Sequence, residues 1–422
     1  MCGHAAPKLD TVRIGMVGLG ARGTALLGQL RHISGVEIRA LCAARPAHID
    51  RALAILSGSP GPKPATYAAG GDEWKKLCDR PDLDVVYVCT PWDLHTPIAC
   101  HAMEAGKHAA VEVPAARTIE ECWRLVETSE RTRRHCRMLE NCCYDFFELL
   151  TLNLARQGFF GEIVHCEGAY IHHLVDENFS KTAHHDQWRL KENLRQGNLY
   201  PTHGLGPVCQ ILNINRGDRL DYLVSVSSGD FTMGARAREL AAGDADFKPF
   251  ADQAFRGNMN TTTIRTRLGR TILLQHDVSS PRPYSRIHLV SGTRAFACKY
   301  PEPPRIAVGE HWLQPAEFAA LREKYTPEIV TRIGQAAERI GGHGGMDFLM
   351  NWRIIDGLRH GLPMDDDVYD AALWSAIAPL TEWSVAHRSA PIDVPDFTGG
   401  AWTDNPPVDV SLRGGGTTGI IP

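Results

Sequence analysis

The 422-residue sequence lacks several features that would assign it to a special class of protein. No segment approaches the roughly 18 uninterrupted apolar residues of a membrane-spanning helix, so no membrane partner is predicted. The formal net charge is -4 and no long lysine or arginine run is present, which argues against a nucleic-acid partner. The first ten residues show no long apolar stretch after a basic start, so we expect a cytoplasmic protein.

The twelve cysteines form no CxxC pair and are scattered along the chain. Several lie in apolar, strand-like runs, as Cys42 and Cys89 do, which is typical of reduced thiols buried in a core. No group of histidine, cysteine and carboxylate residues has convincing spacing for a zinc site. We therefore expect free cysteines and no bound metal ion.

The composition is that of an ordinary globular protein, with 43% hydrophobic and 22% charged residues. The chain is longer than one hydrophobic core normally organises, so two domains are predicted. Two domains can enclose a cleft between them.

Strands and helices alternate along the first third of the chain, which predicts a parallel sheet. Val12–Gly18 is a short apolar run that ends in glycines, Thr24–His32 is predicted as a helix, and Val36–Cys42 is the second apolar run. The pattern continues with predicted strands at Asp84–Thr90 and Lys107–Val113 and a helix at Thr118–Arg134.

After about residue 150 the pattern changes to neighbouring strands with short connections, which favours a largely antiparallel sheet. Strands are predicted at Glu162–His173, Asp221–Ser228, Asn260–Leu268, Thr271–Val278, Ser285–Val290 and Ala295–Lys299. Helices are predicted at Leu321–Ile340, Met346–His360 and Val368–His387.

The predicted fold class is α/β, an N-terminal Rossmann parallel sheet plus a C-terminal α/β domain with a largely antiparallel sheet. We place the dinucleotide-binding domain at residues 1–140, the substrate and oligomerisation domain at 141–398, and an extended arm rich in glycine, proline and threonine at 399–422. Antiparallel sheets of this kind often pair through an exposed face, so we expect a homo-oligomer.

The segment from Gly18 to Gly23 has the pattern GxGxxG. It follows a predicted strand and begins a predicted helix, the context in which this pattern indicates a dinucleotide-binding turn. Gly18, Gly20 and Gly23 permit a tight turn and a close backbone approach, and the helix N-terminus faces a pyrophosphate. The sequence therefore predicts a dinucleotide cofactor.

The acidic residue that usually binds the adenosine ribose is absent from the end of the second strand, which reads Leu41, Cys42, Ala43, Ala44, Arg45. Loss of a carboxylate removes repulsion of a 2′-phosphate, and Arg45 can attract one. NAD and NADP therefore both stay open.

Two further strand ends belong at the ligand edge of a parallel sheet. Trp92 and His95 follow the third apolar strand, and Glu112, Val113 and Pro114 end the next one. The strand end at Glu112, Val113 and Pro114 resembles the glucose-fructose oxidoreductase and inositol dehydrogenase superfamily, in which a Glu-Lys-Pro at this position is common. Val113 stands at the lysine position, which argues against an ordinary polyol dehydrogenase of that superfamily.

Four further segments carry a closer resemblance: Leu139–Tyr144, Gly161–His172, Trp188–Arg189 and Gly197–Gly204. They resemble the NAD-dependent α-N-acetylgalactosaminidases of glycoside hydrolase family 109, and the match runs from the glycine motif nearly to the C-terminus. The resemblance implies cofactor contacts from Ala21, Arg22, Trp92, His95, Glu112, Val113, Asn141 and Tyr200. It implies sugar contacts from Tyr170, Arg189, Tyr200, Pro201, Thr202, His203 and Tyr284. The family's ribose-binding aspartate falls on Ala43.

Hydrolysis in that family is similar to a redox detour, one of the NAD-dependent exceptions to two-carboxylate hydrolysis. NAD oxidises the sugar at C3, elimination expels the group at C1, water adds, and the hydride returns. His203 suits the base for the C3 hydroxyl because imidazole titrates near neutral pH. Tyr170 suits the C2 proton if neighbouring cations lower its pKa, Tyr200 assists or positions the ring, and Arg189 holds a hydroxyl or acyl group.

The sequence predicts a glycosidase acting on a terminal α-N-acetylgalactosaminide or related glycoside. Two alternatives stay open, an NAD(P)-dependent sugar or polyol oxidoreductase and a non-enzymatic, sugar-responsive dinucleotide-binding regulator. Glu140, beside Asn141, is a candidate for orienting a bound group. The glycine-rich stretch Gly341–Gly345 is predicted as a loop that can present His343, which we leave outside the core site.

Overall fold

The computed structural model describes residues 1–421 and contains two sheets with helices packed against them. The N-terminal sheet is parallel, with strand order 3-2-1-4-5-6. Its strands are β1 Val12–Val17, β2 Val36–Cys42, β3 Ala65–Tyr67, β4 Val85–Val88, β5 His108–Val111 and β6 Cys136–Met138. Its helices are α1 Ala21–Leu30, α2 Pro46–Ile55, α3 Glu73–Cys78, α4 His95–Glu104 and α5 Ile119–Thr132. This is the predicted Rossmann arrangement, and it sets the carboxyl ends of β1, β4 and β5 side by side.

The second sheet has nine strands in the order 14-13-12-11-7-10-9-8-15. Only β7 and β10 pair in parallel, so the prediction of a largely antiparallel sheet is confirmed. The strands are β7 Ile163–Ile171, β8 Leu220–Ser227, β9 Asn260–Thr266, β10 Thr271–Asp277, β11 Leu289–Gly292, β12 Ala295–Cys298, β13 Arg305–Val308, β14 His311–Trp312 and β15 Ile392–Asp393. Nine helices accompany this sheet in the described chain: α6 Phe146–Arg156, α7 Val175–Asn178, α8 Trp188–Glu192, α9 Thr202–Ile211, α10 Met233–Gly243, α11 Pro315–Tyr325, α12 Glu328–Ile340, α13 Met346–His360 and α14 Val368–Ala386.

Two predicted elements are wrong. The helix expected at Leu321–Ile340 is divided between α11 and α12, because Pro327 cannot continue the first helix and instead caps the second. The strand expected at Ser285–Val290 begins only at Leu289, since Ile287 and His288 adopt positive φ and Ser285 contributes a single bridge to Ile171. Side chains at positive φ do not fit a pleated strand.

Alternation along the second sheet separates a covered face from an open one. In β9, Thr262 and Ile264 are buried while Thr263 and Arg265 are exposed. The covered face packs against α9 and α14, and α14 also contacts α5 of the Rossmann part. One continuous apolar core therefore links both sheets.

The two halves also meet through α13, which packs against α1 as well as against α12. The segment after Gly399 has little regular structure and lies against α13, where Trp352 Nε1 donates to the carbonyl of Thr418 at 3.0 Å. Ile420 pairs with Ile33 beside the Rossmann sheet. The boundaries at residues 140 and 398 stay a prediction.

None of the described helices is both long and apolar enough to cross a membrane. All twelve cysteines within residues 1–421 are unpaired, and most are buried. The expectation of free, largely buried thiols agrees with this arrangement.

Candidate active site

The turn between β1 and α1 has the geometry of a dinucleotide-binding loop. Gly18 adopts φ +91°, and a Cβ built on it would lie 2.4 Å from the carbonyl oxygen of Cys89. Gly23 also excludes a side chain, since its Cβ would lie 2.0 Å from the carbonyl oxygen of Gly18. Gly20 differs, because its Cβ would meet nothing within 4 Å, and α1 has no side-chain cap there. The open space and the uncapped amides of the helix N-terminus suit a pyrophosphate.

Arg22, on the first turn of α1, is held by two carboxylates. Its Nε donates to Glu112 at 2.7 Å and its Nη1 donates to Asp347 at 2.6 Å. Burial opposes the guanidinium charge, but the two carboxylates raise the pKa of Arg22 above its ordinary value. Asn141 donates its side-chain amide to the other oxygen of Asp347. The structure therefore brings three predicted cofactor residues together around Asp347, which sequence reasoning missed.

Ala21 follows Gly20 as the first residue of α1, and Val113 follows Glu112 at the carboxyl edge of the sheet. Val113 is buried, and its backbone N–H lies 3.3 Å from Glu112 Oε2. Their backbones thus flank the glycine turn, and their contact with a cofactor stays a prediction.

His95 has a buried ring that links two strand-end loops. Its Nδ1 lies 2.7 Å from the carbonyl of Pro114, and its Nε2 lies 2.8 Å from the carbonyl of Thr90. Burial lowers the pKa of His95. The neutral ring donates its one N–H to one of these carbonyls and packs closely against the other, so it links the loops at the ends of β4 and β5.

The end of β2 carries no carboxylate, as the sequence indicates. Ala43 is buried, and its backbone N–H donates to the carbonyl of Tyr67 at 3.0 Å. Arg45 caps the N-terminus of α2 and is exposed. The geometry at the ribose position is therefore compatible with NAD and with NADP.

The predicted catalytic residues meet in one aromatic cluster at the carboxyl end of β7 and the N-terminus of α9. The rings of Tyr170 and Tyr200 have centroids 4.7 Å apart, and each packs edge-on against His203, at 5.3 Å and 4.9 Å. Tyr200 also packs against Trp92, at 5.8 Å, which joins the cluster to the Rossmann part.

The carboxylate of Glu140 holds the imidazole ring of His203 in place. Its carboxylate oxygens lie 2.7 Å and 3.0 Å from Nδ1 of the imidazole. Burial opposes ionisation of Glu140, but the contacts of His203 outweigh burial and lower the pKa of the carboxyl. A carboxylate on Nδ1 places the lone pair of the neutral ring on Nε2, so His203 is oriented as a base.

The condition for Tyr170 as the C2 base, a pKa lowered by neighbouring cations, is not met. Burial raises the pKa of Tyr170 to about 12, although the Arg189 cation acts in the opposite direction. Burial likewise raises the pKa of Tyr200 well above its ordinary value. The Tyr170 hydroxyl instead lies 3.1 Å from Nδ1 of His172, whose own pKa is lowered by burial. A neutral His172 can accept the phenolic proton, so the phenol needs no ionised form at rest.

Arg189 lies on α8 among three aromatic rings. Its guanidinium carbon is 5.3 Å from the ring centre of Trp92, 5.6 Å from Trp188 and 5.2 Å from Tyr200. No described carboxylate pairs with it in residues 1–421, so its N–H donors are available to a ligand.

The remaining predicted sugar residues differ in exposure. Tyr284 is 37% exposed and packs edge-on against His172 at 5.1 Å, so it lies at the open side of the cluster. Pro201 caps α9 and Thr202 begins it, and both are buried. Their position aims His203 into the cluster, and their direct contact with a sugar stays a prediction.

His343 was not predicted as part of the core site, but the structure places it beside Asp347, next to the predicted cofactor residues. The Gly341–Gly345 loop has positive φ at all five residues and ends at the N-terminus of α13. His343 is largely exposed and its Nδ1 lies 2.8 Å from Asp347. Its electrostatic influence reaches His172. The glycines were the available signal, because so many in one short run indicate a loop with an unusual backbone path.

Glu140, Cys142 and His203 are close enough together to hold a metal ion. Their chemistry does not favour one, because burial raises the pKa of the Cys142 thiol well above its ordinary value and a thiol binds metal as thiolate. His203 Nδ1 is also already bonded to Glu140. The set is better suited to moving a proton.

Sequence comparison places both halves of the chain in known families. Residues 144–404 match the model of the glycosyl hydrolase 109 C-terminal domain, and residues 12–139 match an oxidoreductase family with an NAD-binding Rossmann fold. An alpha-N-acetylgalactosaminidase from Bacteroides fragilis is 50% identical over 95% of both chains. A glycosyl hydrolase family 109 protein from Shewanella pealeana is 44% identical over 97% of this chain and 90% of its own.

Solved structures show the same fold at low identity. A levoglucosan dehydrogenase in complex with NADH and levoglucosan is 17% identical, with a TM-score of 0.66 over 91% of this chain and 100% of its own. A scyllo-inositol dehydrogenase from Lactobacillus casei is 14% identical, with a TM-score of 0.65 over 92% and 99%. These similarities extend over both sheets.

Proposed function

The chain belongs to glycosyl hydrolase family 109, and from that premise we propose that it removes terminal α-linked N-acetylgalactosamine, or a related hexose, from glycosides. It is an enzyme with a nicotinamide-dinucleotide-binding Rossmann part. The observation that carries the proposal is the Glu140–His203 pair set against Tyr170 and Tyr200, beside the glycine turn of β1 and α1. This cluster has bases for two neighbouring sugar positions and lacks the paired carboxylic acids of ordinary glycosidases.

The residues around the glycine turn fit a dinucleotide. The open space at Gly20 and the uncapped N-terminus of α1 suit its pyrophosphate, and Arg22, Glu112 and Asn141 surround the turn. When bound, the nicotinamide supplies a reversible hydride acceptor for C3 of the sugar. We propose NAD as the resident cofactor with NADP accepted. Ala43 offers no carboxylate that would repel the 2′-phosphate of NADP.

His203 takes the proton of the C3 hydroxyl at Nε2, because Glu140 holds its Nδ1 and stabilises the imidazolium that forms. Tyr170 takes the C2 proton on its phenolic oxygen while its own proton passes to Nδ1 of His172. The electrons of the C2–H bond form the C1–C2 double bond, and the leaving oxygen departs with those of the C1–O bond. Arg189 holds the sugar with its free N–H donors, and Tyr200 forms a wall of the cleft.

We propose that His343, as the imidazolium whose Nδ1–H is held by Asp347, gives its Nε2 proton to the leaving oxygen. Asp347 occupies its Nδ1, so Nε2 of this exposed ring is directed away from the carboxylate. The loop that carries it has glycines on both sides and can approach a bound sugar.

The open face of the second sheet is the surface through which we propose that two copies pair. Outward-facing residues of β8 and β9 include the exposed Tyr222, Thr263 and Arg265 and the half-buried Val224. The edge of this face carries the exposed Val226.

The proposal is tested with the purified protein, p-nitrophenyl α-N-acetylgalactosaminide and no added cofactor. We expect nitrophenol release without a net absorbance change at 340 nm, and NAD, with or without NADP, in the extract of the heat-denatured protein. Failure to release nitrophenol from any p-nitrophenyl glycoside, together with NAD(P)H accumulation from free sugars and added cofactor, would establish the oxidoreductase alternative instead.

A further inference from the structure

Behind the aromatic cluster lies an arginine, Arg286, that has no part in the mechanism above. Its backbone carbonyl accepts from the N–H of Ala169 at 2.8 Å. The N–H and the carbonyl of Ser285 both bond to the backbone of Ile171, each at 3.0 Å. Ala169 and Ile171 flank Tyr170 on β7, so the segment that ends at Arg286 runs alongside the residue proposed to act at C2.

The guanidinium of Arg286 is buried in a cage of charges. Its Nη2 donates to Asp145 at 2.7 Å and to Glu148 at 2.6 Å. Nζ of Lys299 donates to the same two carboxylates, at 2.5 Å and 3.4 Å. Burial opposes the guanidinium charge, but the neighbouring acidic groups outweigh burial and raise the pKa of Arg286 well above its ordinary value. The cage therefore holds a permanent cation in one place.

The other end of the guanidinium reaches the cleft. Nη1 of Arg286 donates to the hydroxyl oxygen of Tyr284 at 3.2 Å. Burial raises the pKa of Tyr284 above its ordinary value, so the hydroxyl keeps its own proton. No acceptor for that proton is found among residues 1–421, and the ring of Tyr284 packs edge-on against His172 and Tyr170, at 5.1 Å and 6.3 Å. The phenol thus accepts from the cation behind it and has a donor left for the cleft.

We propose that Arg286 is a positioning residue that makes Tyr284 a hydrogen-bond donor to the bound sugar. The assignment rests on the proposed function, in which Tyr284 contacts the sugar. A hydrogen bond from a cation polarises the phenol and strengthens its own O–H as a donor. A lysine in place of Arg286 is a single point charge, so it cannot serve the carboxylate cage and the Tyr284 hydroxyl together.

The two residues should act as one unit, which a double-mutant cycle measures. Isothermal titration calorimetry of the holoprotein with N-acetylgalactosamine gives the sugar affinity of the wild type, Arg286→Lys, Tyr284→Phe and the double variant. We expect each single substitution to weaken binding about tenfold, the range of one charge-assisted hydrogen bond. The double variant should also lose about tenfold instead of hundredfold, because the second substitution has nothing further to remove.

Arg216→Lys is the matched control, because Arg216 is also buried and pairs with Asp370 through two hydrogen bonds outside the cluster. It should leave the sugar affinity within about twofold, with or without Tyr284→Phe. Melting temperatures of all variants separate loss of the fold from loss of the donor. Tyr284→Phe removes one hydroxyl at a partly exposed position and should melt close to the wild type, so it tests the donor even where Arg286→Lys is destabilised.

An unchanged affinity in Tyr284→Phe would overturn the assignment. A loss of about hundredfold in the double variant would also overturn it, because independent effects mean that Arg286 supports only the fold. A wild type that binds no sugar would overturn it as well. Failure of the proposed function is a different result, because the four proteins would then show the coupled losses in binding while the wild type releases no nitrophenol.

Discussion

Glu140 is the side chain on which the proposed proton transfer at C3 depends most. It is 2% exposed, and its two oxygens lie within 3.0 Å of one imidazole nitrogen. A buried carboxylate in this position selects the ring tautomer and stabilises the charge that forms on the ring. Its role is therefore separable from sugar binding.

Glu140→Gln is expected to lower kcat about 100-fold and to leave KM within about threefold, because the amide keeps the shape and loses the charge. Steady-state nitrophenol release measures both constants. Glu127→Gln, at an exposed position of α5, is the control and should behave as wild type. A Glu140→Gln enzyme with unchanged kcat would remove the Glu140–His203 pair from the mechanism.

Several site residues were predictable because they lie in short motifs with their own chemistry. The glycine turn, Trp92 and the run from Tyr200 to His203 belong to this group. Asp347 was not predictable, because it meets Arg22 across 325 positions of sequence. The pKa of Tyr170 was also beyond the sequence, since burial outweighs the nearby Arg189 cation and burial is a property of the folded chain.

At the scale of elements, the β1–α1 turn separates what the fold needs from what the cofactor needs. Gly18 is required by its positive φ and by the carbonyl of Cys89. Gly20 has φ −68°, which any residue adopts, and faces open space. The fold therefore requires Gly18, whereas cofactor binding requires Gly20.

Gly20→Ala is expected to keep the melting temperature of the cofactor-free protein within about 2 °C and to lose most bound cofactor, because the new methyl group occupies the pyrophosphate space. Gly18→Ala should lower both. Differential scanning calorimetry and chromatography of the extracted cofactor give the two readings. Full cofactor content in Gly20→Ala would place the pyrophosphate elsewhere.

The N-terminus of α13 makes a second prediction, about acid stability. Burial opposes ionisation of Asp347, but His343 and Arg22 lower its pKa below the ordinary value of 3.8. A carboxyl with a lowered folded pKa stabilises the fold above its unfolded pKa, and this stabilisation is lost as the pH falls.

Asp347→Asn should therefore reduce the free energy of unfolding at pH 7 by about 3 kcal/mol, the cost of breaking a buried ion pair. The difference from wild type should shrink below about pH 4, because protonation removes the same charge in the wild type. Urea unfolding at a series of pH values measures it, with the exposed Asp252→Asn as control. A difference that stayed constant down to pH 2 would contradict the assignment of the charge to Asp347.

Elements whose limits are set locally agreed closely with prediction. β2 and α13 have the predicted bounds, because an apolar run and a glycine stop define them. The division at Pro327 follows from the proline itself, which lacks the N–H needed to continue a helix. The late start of β11 was not readable, since positive φ at Ile287 and His288 comes from the contacts of the chain around them.

At the scale of the whole molecule, the cleft is built by both halves of the chain. The Rossmann sheet supplies the glycine turn and Trp92, the second sheet supplies Tyr170, and α13 returns Asp347 to the first half. Composition and the change of pattern near residue 150 were enough to predict two sheets. Their relative placement was not, because it depends on how α13 and α14 pack between them.

The open face of the second sheet predicts a dimer in solution. Thr263 lies in this face on β9, between β8 and β10, and is exposed. Thr263→Glu should shift the protein toward monomer in light-scattering chromatography, since two added charges would face each other across a symmetric interface. Ser57→Glu, exposed after α2, is the control. A wild type that is monomeric at all concentrations would rule out this interface.

Transient oxidation of the sugar makes the C2 proton exchangeable during hydrolysis, so solvent deuterium reports on this route. The protein is incubated with p-nitrophenyl α-N-acetylgalactosaminide in deuterated water without added cofactor, and the released sugar is examined by mass spectrometry and proton NMR. We predict nitrophenol release with deuterium at C2 of the product and no net change at 340 nm, because the C2 proton is removed and returned within each turnover. Release of a product that keeps its C2 hydrogen would contradict the account and indicate direct displacement at C1.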